Sequence, residues 1–579
     1  MRKCYFVLLT LSLSFAANAQ WTSDFSATPT LAPEGTSLYI DEVMVGPGGI
    51  TWGVMYRPTS VDGSTQYQYR IQALDADGNY LFDEDECGLL VSNYANKSYT
   101  LYGSSLFVDS DDNAIVIVAD CRNDAVFQYK SLTAYKISPE GEFLWGDDGV
   151  SLDGGATFTV VAGAKACELD DGSIVIAWMI VTDTGYFNIM VQRITSDGEL
   201  AWDDCLQLGD DSSYYSYPYV VDGGDNQFIL VYAKGNSEVV YAQKYDFDKT
   251  PAWSDPTRVY RGGFTLALWT VFDVCSSGDG GVLCFWDDDR SSSGTESAYL
   301  SYITSDGEIG FSGASDEGDV KLGYSGYRHF NVDATPAPDG DGFIAIWRET
   351  SSAETYQGVR AQRVSKTGEL EWSDDGLEVV PLDVVNVGYL SVQPGDDSTV
   401  GLFYEKYYAY TDQVCYVRKV DSKTGETAWE AGDDGVVTLS TSGNHAAVDL
   451  ETSACTALDF WIYEWSDTDY SSDENGNQAY RINRLNFDGT FYGETTGIQS
   501  ARIAATPTLS YDGTAFVIDG IDSTASLQVY DLSGRLVDNP MSDVSSNDNR
   551  RIAWTASPGV YLATLRTDSG AQTIKILIK

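Results

Sequence analysis

Short apolar runs of five to seven residues recur along the chain at intervals of 54 to 63 residues: ITWGVMY, AIVIVA, SIVIAW, QFILVY, GVLCFW, GFIAIW, TVGLFY and ALDFW. Their last residues are Tyr56, Ala119, Trp178, Tyr232, Trp286, Trp347, Tyr404 and Trp461. The runs are β-branched and aromatic, bounded by Gly and Asp, and they scarcely alternate with polar residues. They therefore read as strands covered on both faces. Downstream of each lies a tight turn followed by a bulky residue, from DADGNYLF (Asp75 to Phe82) through SPEGEFLW and TSDGELAW to NFDGTFYG (ending at Gly493). Only the fourth copy, DFDKTPAW, lacks the turn Gly, and only the eighth lacks the closing aromatic. A weaker strand precedes each apolar run and two more follow it.

A unit of this length cannot bury its apolar faces alone and must stack on its neighbours. Four antiparallel strands in each of eight units predict an all-β chain: an eight-bladed β-propeller over residues 20–500, followed by a small immunoglobulin-like β-sandwich over 501–579. Residues 21–35 begin with Trp21, as a fourth strand does, so they are expected to complete the eighth unit and close the ring.

Composition changes the picture at both ends. Arg2 and Lys3, a Leu-rich run from Tyr5 to Phe15, and Ala17-Asn18-Ala19 read as a secretory signal peptide over 1–19. The run is too short to span a bilayer as a helix, and no later segment approaches that length. The formal net charge is −51, and removal of Arg2 and Lys3 makes it more negative by two. Residues 500–579 hold eight Asp, no Glu and seven Lys or Arg, so the acidity belongs to the repeats and a domain boundary falls near 500. Such a field argues against nucleic acid or an anionic membrane as partner. Eight of the nine cysteines lie beyond the signal peptide; Cys275 and Cys284 flank one hairpin turn and could bridge, and no CxxC pair marks a zinc ribbon.

The last segment contains LQVYDLSGRLV (527–537) and PGVYLATLRTDSGAQTIKILIK (558–579). It resembles the C-terminal sorting domain of the type IX secretion system of Bacteroidetes, with Tyr530, Asp531, Gly534, Arg535, Gly559, Tyr561, Lys575 and Lys579 in register with that family's motifs. The Tyr-Pro-Asn-Pro that often opens such domains is missing. The resemblance implies an immunoglobulin-like sandwich, recognition by the type IX machinery, passage through the outer membrane and a secreted or cell-surface location. The repeats are similar to secreted proteins of the same bacteria with Trp-x-Asp-x-Arg loops and Gln-Arg strands. That pattern survives here at Trp286, Asp288 and Arg290 and at Gln362 and Arg363. Those relatives are mostly of unknown function, so the likeness bears on fold.

No catalytic constellation stands out: GxSxG, HExxH and sialidase-type Asp boxes are absent. His329 and His445, both at connections between units, are candidate binding residues without a partnering nucleophile motif. Asp-rich turns, including Asp109 with Asp111 and Asp339 with Asp341, are candidate calcium ligands, although Asp-Gly also makes hairpin turns for steric reasons. Aromatics that do not recur with the repeat, Tyr215, Tyr327, Tyr408 and Trp465 among them, fall in the variable loops expected on one rim and could offer stacking faces. The leading reading is a non-enzymatic recognition protein binding a glycan or surface protein on that rim. The alternatives are a polysaccharide-degrading hydrolase or lyase using acidic residues at the ring centre, and a structural surface-layer component.

Overall fold

The computed structural model describes residues 21–578 except 33–37, 62–63, 84–86, 93–103, 124–130, 154–160, 211, 236–238, 261–271, 291–295, 312–317, 410–411, 430–434, 441–444, 471–476, 493–507, 512–513, 520–523, 532–534, 546–549 and 568–569. The described residues are β throughout, apart from one short 3-10 turn at Phe25–Ala27. Two compact units divide at Thr496 and Gly497.

The first unit contains eight four-stranded antiparallel sheets. Sheets one to seven each use four consecutive strands, beginning at Tyr39–Val45, Ser104–Val108, Val161–Glu168, Tyr215–Gly224, Phe272–Ser276, Arg328–Pro336 and Asn386–Pro394. The eighth takes His445–Cys455, Phe460–Asp469 and Asn477–Asn486 from the end of the repeats and Thr30–Ala32 from their beginning. The first strands touch one another in an unbroken circle, the eighth meeting the first. This arrangement is consistent with an eight-bladed β-propeller with those strands around the axis.

Apolar second strands form the middle of each sheet and bury residues from both faces. Eight separate cores result, one in each gap between neighbouring sheets. The gap between sheets eight and one holds Leu31, Val43, Met55, Phe460 and Ile482.

The repeated turn Gly and the repeated Trp explain each other. Each Trp lies against the turn of the following sheet: Trp145 against Gly198, Trp253 against Gly307, Trp372 against Gly425 and Trp429 against Gly489. Gly198 has φ +88°, and a Cβ there would come within 2.6 Å of the Trp145 ring. Both conformation and space thus call for Gly. Each indole N–H also donates to the carbonyl two residues before the turn Gly, Trp145 to Ser196 at 3.1 Å and Trp253 to Ser305 at 3.0 Å. In the turn lacking Gly, Lys249 adopts φ +64°, and its ammonium lies 5.6 Å from the Trp202 ring. The eighth repeat lacks a Trp because Trp21 supplies it: Trp21 packs on Gly78 and donates to Ala76 O at 3.0 Å.

Strand pairing corrects the strand-end position in three sheets, where Tyr56, Ala119 and Trp461 stand out of register. In every sheet a residue at the start of the second strand pairs with a third-strand residue that also bridges to the segment after the turn, as Ile174 does through Ile194 to Leu200. The equivalent in sheet eight is Trp461, through Leu485 to Phe491. The repeated strand-end position, four residues on, is therefore Met55, Val118, Trp178, Tyr232, Trp286, Trp347, Tyr404 and Trp465. Trp465 is a packing residue of the repeat, 1% exposed between sheets seven and eight, and not a loop aromatic. The expected Cys275–Cys284 bridge is also overturned: Cys275 faces Leu283 and Cys284 faces Val274, a one-residue offset that sends the thiols to opposite faces.

The Trp-x-Asp-x-Arg segment of sheet five forms a closed network. Arg290 lays its guanidinium on the Tyr299 ring at 3.7 Å, holds Asp288 through Nε and Nη2, and reaches Asp319 through Nη1 at 2.5 Å. Trp286 Nε1 donates to the same Asp288 at 2.7 Å.

The second unit has a three-stranded and a four-stranded antiparallel sheet sharing one core of Leu509, Phe516, Leu527, Val529, Trp554 and Leu565. The Thr524–Asp531 strand lies beside Gly559–Thr567, with Tyr530 opposite Leu562 and Asp531 opposite Tyr561. Gly570–Ile578 is an edge strand of the four-stranded sheet.

Candidate functional site

One position of the first strand recurs around the axis: the residue paired with the one just before the repeated strand-end position of the second strand. Its occupants are Glu42, Ser105, Lys165, Tyr219, Asp273, Asp333, Ser391 and Glu451. In sheets one, three, four, six and eight a bulge comes directly before this residue, and in sheet seven one residue earlier. A bulge bends its strand and re-aims the side chains beside it. Two bulge residues, Tyr217 and Asn331, take the left-handed conformation at φ +51° and +55°, a strained state that persists only where its surroundings enforce it.

Most of these side chains reach to the inner strand of the following sheet. Glu42 accepts from Leu106 N at 2.8 Å, Asp333 from Val392 N at 2.8 Å and Glu451 from Val43 N at 3.0 Å. Tyr219 donates to Phe272 O at 3.0 Å, and Ser391 receives the Thr452 hydroxyl at 3.0 Å. These bonds satisfy edge groups that the innermost strands would otherwise leave open.

The ring holds four carboxyls and one ammonium, Lys165. Enclosure by the walls, reinforced by Glu42, pushes Glu451 up to about 7, and burial pushes Asp333 up to about 6. Asp273 is exposed to solvent, yet desolvation by the surrounding protein raises it too. Desolvation disfavours the charged form in each case.

Where the second strands end and the first strands begin, sheets five, six and seven line an open cavity of about 840 Å³. Asp273, Asp333 and Ser391 of the ring lie in its wall, beside Asp287, Asn331, Arg348, Tyr389 and Tyr407. Asp287, pushed up to about 6 by burial, accepts the N–H of strained Asn331 at 3.1 Å. Aromatic walls and a few convergent polar groups are the usual make-up of a ligand site.

The positions expected from sequence fare differently. Tyr327 is 39% exposed in the bend just before sheet six, whereas Tyr215 is half-buried, stacked on Tyr232 at 5.9 Å beneath the Lys234 ammonium. Trp465 offers no face to solvent, for the register reason given above. Tyr408 belongs to the strand Thr399–Ala409, and its side chain lies outside the described residues. No described contact joins these aromatics into one patch. His329 is buried, its Nε2 3.3 Å from Ser325 Oγ and 3.5 Å from Glu349, which also binds Arg360. Ser325 and Glu349 meet the same ring nitrogen, so the group is not a nucleophile–base–acid relay. Half-exposed His445 pairs through Nδ1 with Asp467 at 2.9 Å.

The calcium expectation meets carboxylates already engaged. Asp109 accepts from Asp111 N and Asn113 N and pairs with Lys136 at 2.7 Å, while Asp339 accepts from Asp341 N and holds Arg363 at 3.1 Å. Among the described residues no group of three His, Cys, Asp or Glu could hold a metal. Of the sorting-motif residues, Gly559, Tyr561 and Lys575 lie on the paired strands already given, whereas Gly534 and Lys579 lie outside the described residues. The ring position, Asp287 and Arg348 escaped sequence reading, because the ring occupants share register without sharing chemistry.

No family model matches the chain, and no curated protein matches it. Among solved structures it is similar to the Dos1 propeller, at 10% identity over 78% of this chain and 95% of that one, with a TM-score of 0.38. Polysaccharide lyase Uly1 follows at 11% identity, 69% and 93% coverage and a TM-score of 0.37. A subtype N10 neuraminidase-like protein of A/little yellow-shouldered bat/Guatemala/060/2010 matches at 9% identity, 66% and 91% coverage and a TM-score of 0.31.

Proposed function

We propose that this is an exported cell-surface recognition protein whose eight-bladed propeller binds a glycan in the cavity at the loop end of its channel. The observation that carries this reading is the cavity wall, where Phe330, Tyr389 and Tyr407 stand beside hydrogen-bonding Arg348 and Gln393. Aromatic faces stack on sugar rings, and fixed polar groups select hydroxyls. A cleavage reading draws on Asp287 and Asp333, both raised to about 6 in one cavity. Both already accept backbone N–H groups, from Asn331 and from Val392 and Ala334, which favours binding. A glycan array on the mature chain, with reducing-sugar release followed in parallel, tests both. Tyr407→Ala is expected to weaken any array hit about tenfold with an unchanged circular dichroism spectrum. Sugar release that Asp287→Asn abolishes would instead establish the enzyme.

The C-terminal unit is proposed to be the immunoglobulin-like sorting label read by the type IX machinery, its two motif strands lying side by side. Deleting residues 558–579 should leave the protein in the periplasm of a host with that system, as followed by cell fractionation. Normal display at the surface would overturn this assignment.

A further inference from the structure

Resting on the cavity reading above, we infer that the glycan taken there is acidic, and that Arg348 binds the carboxylate or sulfate of one sugar unit. The chain carries 86 Asp and Glu against 35 Lys and Arg, so a guanidinium is seldom far from a carboxylate. Arg122, Arg193, Arg290, Arg328, Arg360, Arg363 and Arg481 all hold one. Arg348, like Arg57 and Arg484, has no carboxylate oxygen within ion-pair distance among the described residues, but it alone of the three is half-buried in the cavity wall.

Its protein contacts leave most of the fork idle. Nη1 donates to Val387 O at 3.2 Å, Phe330 lies 5.5 Å from the guanidinium carbon, and Nε is buried without a partner. Asp287 is the carboxylate whose charge acts most strongly on it, but that carboxyl accepts from the Asn331 amide. An idle N–H on a desolvated guanidinium is costly unless something completes it. Planar carboxylate and sulfate oxygens match the fork in two-point geometry, which a single sugar hydroxyl does not. The sequence places Arg348 directly after Trp347, the repeated strand-end aromatic, so the backbone that aims it into the cavity is as rigid as the core.

The test uses the full mature chain and a panel of uronate-bearing oligosaccharides, their methyl esters, sulfated oligosaccharides and the neutral parents, titrated calorimetrically. Wild type should bind an acidic member about tenfold or more tightly than its neutral counterpart. Preference for the uronate over its ester identifies a carboxylate, and preference for the sulfated member identifies a sulfate. Arg348→Gln should erase the preference, bringing the acidic member to the affinity of its neutral counterpart, with the thermal midpoint in place. Arg348→Lys, which keeps charge but not the fork, should restore only part of it. Equal affinity for acidic and neutral members, or a preference surviving Arg348→Gln, would overturn the inference. If acidic and neutral members bind alike and Tyr407→Ala weakens both, the cavity reading stands and this inference alone fails. Silence across the panel counts against both.

Discussion

Removal of residues 21–32 is expected to unfold or aggregate the repeat unit, whereas the same number of residues lost from a surface loop would pass almost unnoticed. The segment contributes the outer strand of sheet eight and the Trp that its repeat lacks. Trp21, Leu31 and Ala32 are 3%, 1% and 1% exposed. Tyr80 holds Thr30 at both its N–H and its carbonyl, at 2.8 and 2.9 Å. Burial of Trp21 and Leu31 alone is worth roughly 1.5–3 kcal/mol each, so a loss of about 5 kcal/mol is the expectation before any hydrogen bond is counted. The deletion also bares the edge of Asn477–Asn486, a template for strand addition. Calorimetry and size-exclusion chromatography would register the loss. A synthetic peptide of residues 21–32 should restore part of the transition. A cooperative transition within a few degrees of wild type would show that the ring does not depend on its clasp.

The second large effect belongs to Arg290. Asp288 and Asp319 are 6% and 4% exposed, and Arg290 neutralises both. Arg290→Ala takes that counter-charge away from two buried carboxylates, a change that typically costs about 3–5 kcal/mol. Arg290→Lys should recover little, since a point charge cannot replace the fork held flat on Tyr299. A thermal midpoint unchanged at pH 7 would contradict this account.

The frame of the molecule could be read from residues that repeat for a structural reason. A turn Gly and a bulky aromatic that fit each other across most gaps must recur together, and the missing eighth aromatic pointed to Trp21. Errors arose where like residues crowd or where function would lie. Sheet eight illustrates the first case: it carries Trp461, Tyr463 and Trp465 on one face, and spacing alone cannot say which matches the repeat. The channel illustrates the second. Glu42, Ser105, Lys165 and Tyr219 occupy one structural position with nothing chemical in common, and bulges of differing length shift them against the sequence period. Only hydrogen-bonded pairing aligns them, and only that alignment brings Arg348 and Asp287 to a shared wall.

The clasp also bears on how the chain reaches this state in time. Asn483 binds Thr22 across 461 residues of sequence, whereas almost every other strand pairs with the one beside it in the chain. Seven sheets can form from local hairpins as they emerge, but the eighth must wait for both ends. Closing so long a loop adds only slowly with length to the entropic cost, yet it is the kind of distant pairing that slows folding. The last step in assembly is then the meeting of the two ends, and an open ring with bare edges is its precursor. In reverse, opening that seam is the natural first event of unfolding, so the lifetime of the folded protein should follow the strength of one short strand.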